Sequence, residues 1–425
     1  MANNKKYWNS LDQLNNDPAF LQEATKEFKE EIPVEEFLGN EGLDSSSTSR
    51  RDFLKFVGFS LGAATLAACE TPVVKSIPYV VKPENINPAI PNYYASTYYD
   101  GVDFANIIVK TREGRPIFIS GNTNSPVTKG GVTARVNSSV LSLYDTHRYK
   151  VPQSKAGNTS WADLDKAVVK GLEKAQADGK KIAILSNTIA SPSTKAAIAE
   201  FSKAYSSAEG EGDSMESSVM HVQYDAVSYD GMRKANEMDF GTAMIPSYDF
   251  SKAKAIVSFD ADFLGNWLNV NEHSPQYSSR RNPDGEWMSR HYQFETNFSL
   301  TGSNADVRGA IKPSERGHAT VALYNAIASK TGGQKVKSSS FESDNAVMDK
   351  IQMAANDLLR NKGASLVVSS SNDVNEQCVV NGINQMLGNY GSTIDASKQV
   401  NIRQGDDAQV AGLISDMKAG NVGAV

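Results

Sequence analysis

The chain has 425 residues, 40% of them hydrophobic, which is enough for a folded core and for more than one domain. Its 43 Lys and Arg against 49 Asp and Glu give a net charge of −6, and the acidic excess lies in residues 1–49, where Lys5, Lys6, Lys26 and Lys29 face ten acidic side chains. The balanced remainder gives no electrostatic case for nucleic acid, and with only Cys69 and Cys378 a site of four cysteines and a disulfide framework are both excluded.

Residues 1–49 form an acidic leading segment. Asp17-Pro18 reads as an N-cap followed by the first helical residue, and Leu21, Ala24 and Phe28 then share one helix face. Next comes Ser49-Arg50-Arg51-Asp52-Phe53-Leu54-Lys55, which fits the twin-arginine export pattern S/T-R-R-x-F-L-K through Arg50, Arg51, Phe53, Leu54 and Lys55. The apolar stretch 56–68 suits the hydrophobic region of an export signal and is too short to span a bilayer. It ends Leu66-Ala67-Ala68-Cys69, a lipobox-like order that makes Cys69 the expected lipidated residue; cleavage without lipidation is the alternative. Residues 50–69 are therefore assigned as signal. Residues 70–97, with Pro72, Pro78, Pro83, Pro88 and Pro91, are assigned as an extended linker.

Residues 98–150 are expected to be a small β-rich domain. Asn106–Thr111 and Pro116–Ser120 read as a hairpin turning at 112–115. Residues 151–425 alternate helix and strand. Helices are expected at 161–177, 193–205, 373–387 and 407–418, and apolar strands at 181–186, 219–224, 254–259 and 365–369, so the fold class is α/β with a mainly parallel sheet. Val422-Gly423-Ala424-Val425 reads as a strand beginning, so the domain is expected to continue further.

Three groups of residues carry a family resemblance. The acidic leader ahead of Arg50 and Arg51 resembles the extended twin-arginine domain of large molybdopterin/iron–sulfur proteins. Gly114 and Pro116, then Gly121, Asn122, Pro126, Gly130 or Gly131, Arg135, Tyr144, Asp145 and Arg148 follow the order of the first signature of the DMSO-reductase family of molybdopterin oxidoreductases. Residues 258–267 and 297–313 resemble two later segments of that family, whose loops approach a pterin dinucleotide. The resemblance implies a molybdopterin-oxidoreductase-like multi-domain fold. The departures are as informative. Thr133 stands at the family's cluster cysteine, Val136 at its glycine, and residues 93–101 hold none of the three upstream cysteines. Asp260 and Ser314 replace further family glycines. No cofactor is therefore expected in residues 1–425, and Arg135, which the family places between cluster and pterin, is read as a structural cation.

The resemblance points to the fused large subunit of alternative complex III, a membrane quinol-oxidising respiratory complex. The implied partners are the other subunits of such a complex, the twin-arginine translocase, and the membrane through a lipid anchor at Cys69, with no nucleic acid. The implied place is the periplasmic face of the bacterial cytoplasmic membrane, and iron–sulfur clusters would lie in a part beyond residue 425. Two alternatives remain: an active molybdopterin-dependent reductase of the polysulfide or thiosulfate type, and a lipid-anchored binding protein. Cys378 is expected to be an inert core thiol, and the five histidines lack zinc-binding spacing. Residues 286–292, rich in reactive side chains, are read as a surface or interface loop.

Overall fold

The structure is a computed structural model that describes Glu84, Ile86, Asn87 and residues 90–206, 218–337 and 345–425. The chain divides into two units, Met1–Val80 and Val81–Val425, and every described residue belongs to the second. The leading segment, Arg50, Arg51, Phe53, Leu54, Lys55, Cys69 and most of the linker lie outside the described residues.

The described chain opens with an antiparallel sheet of β1 (Asn92–Tyr99), β2 (Phe104–Arg112) and β3 (Arg115–Gly121) in that order. The expected hairpin is β2–β3. Glu113 and Gly114 both have positive φ, +51° and +75°, the backbone of a two-residue type I′ turn, and Glu-Gly tolerates it because the second position has no Cβ. β1 corrects the linker boundary: residues 92–97 pair along β2 from Asn92↔Thr111 onward. Their Tyr-, Ser- and Thr-rich composition favours strand, and Pro91 stops just short of the ladder. Ala105, Ile107, Ile119, Val136 and Val140 form the core of this sheet with the short helix α1 (Ala134–Ser138).

After the small ribbon β4 (Gln153–Ser154) and β5 (Gly157–Asn158), helix α2 (Trp161–Ala177) is capped by Ser160, whose hydroxyl accepts from Asp163 N. Strand β6 (Lys181–Ser186), helix α3 (Pro192–Tyr205), with Pro at its first turn, and strand β7 (Val219–Gln223) follow. Next come α4 (Asp230–Phe240), β8 (Pro246–Tyr248), β9 (Ala255–Phe259), α5 (Val270–Ser278), β10 (Arg290–Glu295), α6 (Leu300–Ser303) and β11 (Val307–Ala310). The last elements are α7 (Arg316–Thr331), α8 (Asn345–Arg360), β12 (Ser365–Ser369), α9 (Val374–Met386), β13 (Ile394–Gln399), α10 (Asp407–Ala419) and β14 (Val422–Ala424).

Two parallel sheets result, ordered β11-β10-β9-β12 and β14-β6-β7, with β8 and β13 as a separate antiparallel pair. The α/β expectation holds, for the reason the strands announced: β9 and β12 are buried at every residue, so both faces are covered and the sequence reads as an unbroken apolar run. One face packs Val257, Phe259, Tyr292 and Phe294 against Leu323 and Ile327 of α7, Ile351 and Leu358 of α8, and Ile383 of α9. The other packs Ile256, Leu366 and Val368 with Ile245, Phe250, Phe263 and Trp267.

Strand β10 corrects the loop expected over 286–292, because His291 and Tyr292 are fully buried. Tyr292 and Phe294 point into the apolar layer, while His291, Gln293 and Glu295 fill the opposite face with a closed polar chain. Tyr277 Oη lies 3.2 Å from His291 Nδ1, His291 Nε2 lies 3.2 Å from Gln293 Oε1, and Gln293 Nε2 donates to Glu295 Oε2 at 3.3 Å. Arg308 Nε closes it on Glu295 Oε1 at 2.5 Å. Burial pushes the His291 pKa down to about 4, so the ring is neutral. Each polar group has a partner, which is what permits burial.

Candidate functional site

The signature-like residues form the loop between β3 and α1, and backbone crowding explains its glycines. A Cβ on Gly121 would stand 2.0 Å from Gly130 O, and one on Gly131 would stand 2.0 Å from Asn271 O. The loop is folded back on itself and laid against α5. Asn122 N donates to Asn106 O at 2.9 Å, and the Asn122 side chain accepts from Asn124 N at 3.0 Å. Asn271 clamps the far end, accepting from Thr133 N at 2.5 Å and donating to Phe104 O at 3.2 Å.

The loop and α5 border a cleft of about 790 Å³, lined by Lys129, Thr133, Arg135, Asn271, Tyr277 and Arg281 among others. Two of its cations are already engaged. Arg135 grips Asp103 through Nε at 2.6 Å and Nη2 at 3.1 Å, and Asp103 is buried. Arg281 holds both oxygens of Asp306 at 2.9 Å. Pro126 lies on a second cavity of about 720 Å³, together with Asn269, which precedes α5, and with Glu272 and Gln276 of α5. Burial lifts the Glu272 carboxyl to about 7.

The donor set does not fit a cubane cluster, which takes four thiolate-type ligands. Thr133 is the N-cap of α1, its hydroxyl accepting from Val136 N at 3.3 Å, and Val136 is wholly buried in the small sheet's core. Residues 93–101, where further cysteines would stand, are β1 and its turn. Among the described residues no group of three His, Cys, Asp or Glu side chains could hold a metal ion. Cys378 sits on α9, partly buried rather than in the core, with its thiol pushed up by burial and by Asp239.

The structure joins the two later family-like segments. Asp262 accepts from Thr301 N at 3.0 Å and from Thr301 Oγ1 at 2.6 Å, and Thr301 Oγ1 accepts from Leu264 N. Asp260 has φ +53°, so the backbone keeps a conformation suited to glycine although the residue is not one. Ser314 lies in a short 3₁₀ turn, Pro313–Glu315. Sequence reasoning did not find Asp103, Asn271, Arg316 or Glu376; none stands in a recurring spacing, and their roles arise from partners distant in sequence, such as Arg135 for Asp103, Thr133 for Asn271 and Glu376 for Arg316.

No family model matches the chain. The menaquinone reductase, molybdopterin-binding-like subunit of Nitratidesulfovibrio vulgaris is 32% identical over 155 residues, covering 32% of this chain and 21% of the relative. The chain thus spans about a fifth of the length of that curated relative. Among solved structures, the formyltransferase/hydrolase complex of Methylorubrum extorquens with methylofuran aligns over 55% of this chain and 56% of its own, at 11% identity and a TM-score of 0.35, too low to carry an argument. The relation in sequence is to a molybdopterin-binding-like subunit, over part of the chain.

Proposed function

We propose that this chain is a non-catalytic, molybdopterin-oxidoreductase-like scaffold region of an electron-transfer subunit in a membrane quinol-oxidising complex of the alternative complex III type. One observation carries the reading. The signature loop persists in outline, yet each position that would meet a cofactor is used to hold the fold: Thr133 caps a helix, Val136 fills a core and Arg135 neutralises buried Asp103. The relative's printed role in a menaquinone reductase supports the quinone link. The sequence patterns at Arg50-Arg51 and Leu66-Ala67-Ala68-Cys69 support export in a folded state and a lipid anchor on the periplasmic face. Among the described residues no helix is long and apolar enough to cross a membrane, so attachment is assigned to the Cys69 lipid and to partner subunits. Iron–sulfur clusters are assigned to sequence outside residues 1–425.

The test is to isolate the full-length protein from native membranes and measure metals, pterin and co-purifying subunits. The expected result is no molybdenum and no extractable pterin, in a complex with integral membrane partners. Stoichiometric molybdenum would establish the active reductase instead, and a partnerless lipoprotein would establish the binding-protein alternative.

A further inference from the structure

In open α/β sheets, ligands sit in the crevice beyond the carboxyl ends of the strands, where helix N-termini favour phosphate. The family resemblance implies a pterin dinucleotide there, and the residues of this chain do not fit its pyrophosphate. Asp260 directly follows β9, Thr296 directly follows β10, Ser371 lies two residues past the end of β12, and Arg316 is the first residue of α7. Asp260 Oδ1 accepts from Thr296 N at 2.8 Å, and Asp260 Oδ2 lies 3.4 Å from Arg316 Nη1. The same guanidinium donates from Nε to Glu376 Oε2 at 3.2 Å and from Nη2 to Ser371 Oγ at 3.0 Å. Glu376 is buried and also accepts from Ser369 Oγ at 2.8 Å.

We propose that Asp260 is a built-in counter-anion: its carboxylate takes the place on Arg316 and the Thr296 amide that a ligand phosphate would otherwise occupy, so the crevice is filled by the chain itself. Three features converge on this. The donors that meet Asp260 are of the kind a phosphate takes, one N–H of the Arg316 guanidinium and the Thr296 backbone N–H. The carboxylate is delivered from a left-handed residue, where glycine is the unstrained choice, so the position keeps the geometry of close approach while adding charge. With Asp260 and Glu376 both on one guanidinium, the local charge is net negative, and an added polyanion would be repelled. The inference rests on this geometry alone and stands whether or not the chain belongs to a quinol-oxidising complex.

The experiment compares the full-length chain with Asp260→Asn and Asp260→Gly by titration calorimetry with inorganic pyrophosphate at low salt. Asp260→Asn keeps the acceptor for Thr296 N while removing the charge, so it tests the idea even if the glycine variant is poorly folded. The native chain is expected to show no saturable binding, and the variants a salt-sensitive site at least about tenfold tighter. Equal affinity in the native chain, or a folded Asp260→Asn that binds no better, would overturn the proposal.

Discussion

Replacing Arg135 with Gln asks whether this cation holds the fold or serves an electron path. Asp103 retains 3% side-chain exposure and Arg135 51%, so the substitution leaves a buried carboxylate without its counter-charge while the lost partner was itself half in water. Breaking a fully buried pair by removing one member costs about 3–5 kcal/mol, and an exposed pair about 0–1. The mixed exposure here places Arg135→Gln at about 2 kcal/mol, a fall in thermal midpoint of about 3 °C for a body of this size. The assay is urea and thermal unfolding of the native chain, Arg135→Gln, Asp103→Asn and the double variant. Removing the stranded charge should return about 1 kcal/mol in the double variant, which is the coupling a structural pair demands. An unchanged midpoint in Arg135→Gln, or no coupling with Asp103→Asn, refutes the structural role. Loss of quinol oxidation at unchanged stability would instead assign Arg135 to electron transfer.

Gly121→Ala should destabilise the small sheet by about 3 kcal/mol or leave it misfolded, because the new methyl meets the Gly130 carbonyl and backbone cannot swing aside as a side chain can; near-native stability in denaturant would show that the loop does not cross there. Glu272→Gln should change the pH dependence of stability. The folded carboxyl sits near 7, raised by burial from the usual carboxylate range, so its contribution is whole below the unfolded value and is lost as pH rises through about 7. Relative to Glu272→Gln, the native chain should therefore lose about 3 kcal/mol between pH 4.5 and 7, read from urea midpoints across that range. Parallel profiles for the two proteins would show that the group is not protonated in the folded state. The metal and pterin content of the native complex, and pyrophosphate binding by the Asp260 variants, complete the set.

The strands legible in the sequence were those rich in apolar and β-branched residues, whether uniformly buried, as β9 and β12 are, or unevenly, as β6 and β7 are. β6, β9 and β12 read as short apolar runs, and α2 was legible from its amphipathic pattern over 161–177. β10 was not legible, although it lies between β9 and β11 inside the sheet. Its inward residues on one face are His291, Gln293 and Glu295, and a scale that scores burial by hydrophobicity assigns them to the surface. Their burial depends on Tyr277 and Arg308, each more than ten residues from its partner and brought near by folding, and on the nearby Ser299. β1 was missed for the complementary reason: an edge strand exposed over most of its length has no burial pattern to show.

The same division governs the site. The loop 121–135 could be found because glycine and proline mark backbone geometry directly, and the structure keeps that geometry. What the loop does is decided by the groups that answer it, and these come from elsewhere in the chain. Thr133 in isolation is a missing cysteine; beside Val136 N and Asn271 it is a helix cap. Asp260 in isolation is a misplaced charge; beside Arg316 and Thr296 it is a satisfied one. A position that had merely lost a ligand would leave donors unpaired, and buried unpaired donors are costly enough to be selected against. At Thr133, Arg135 and Asp260 the donors are instead re-paired with residues of the chain itself. That pattern favours a region in which these side chains hold the α/β fold together, each answered by a partner from elsewhere in the chain.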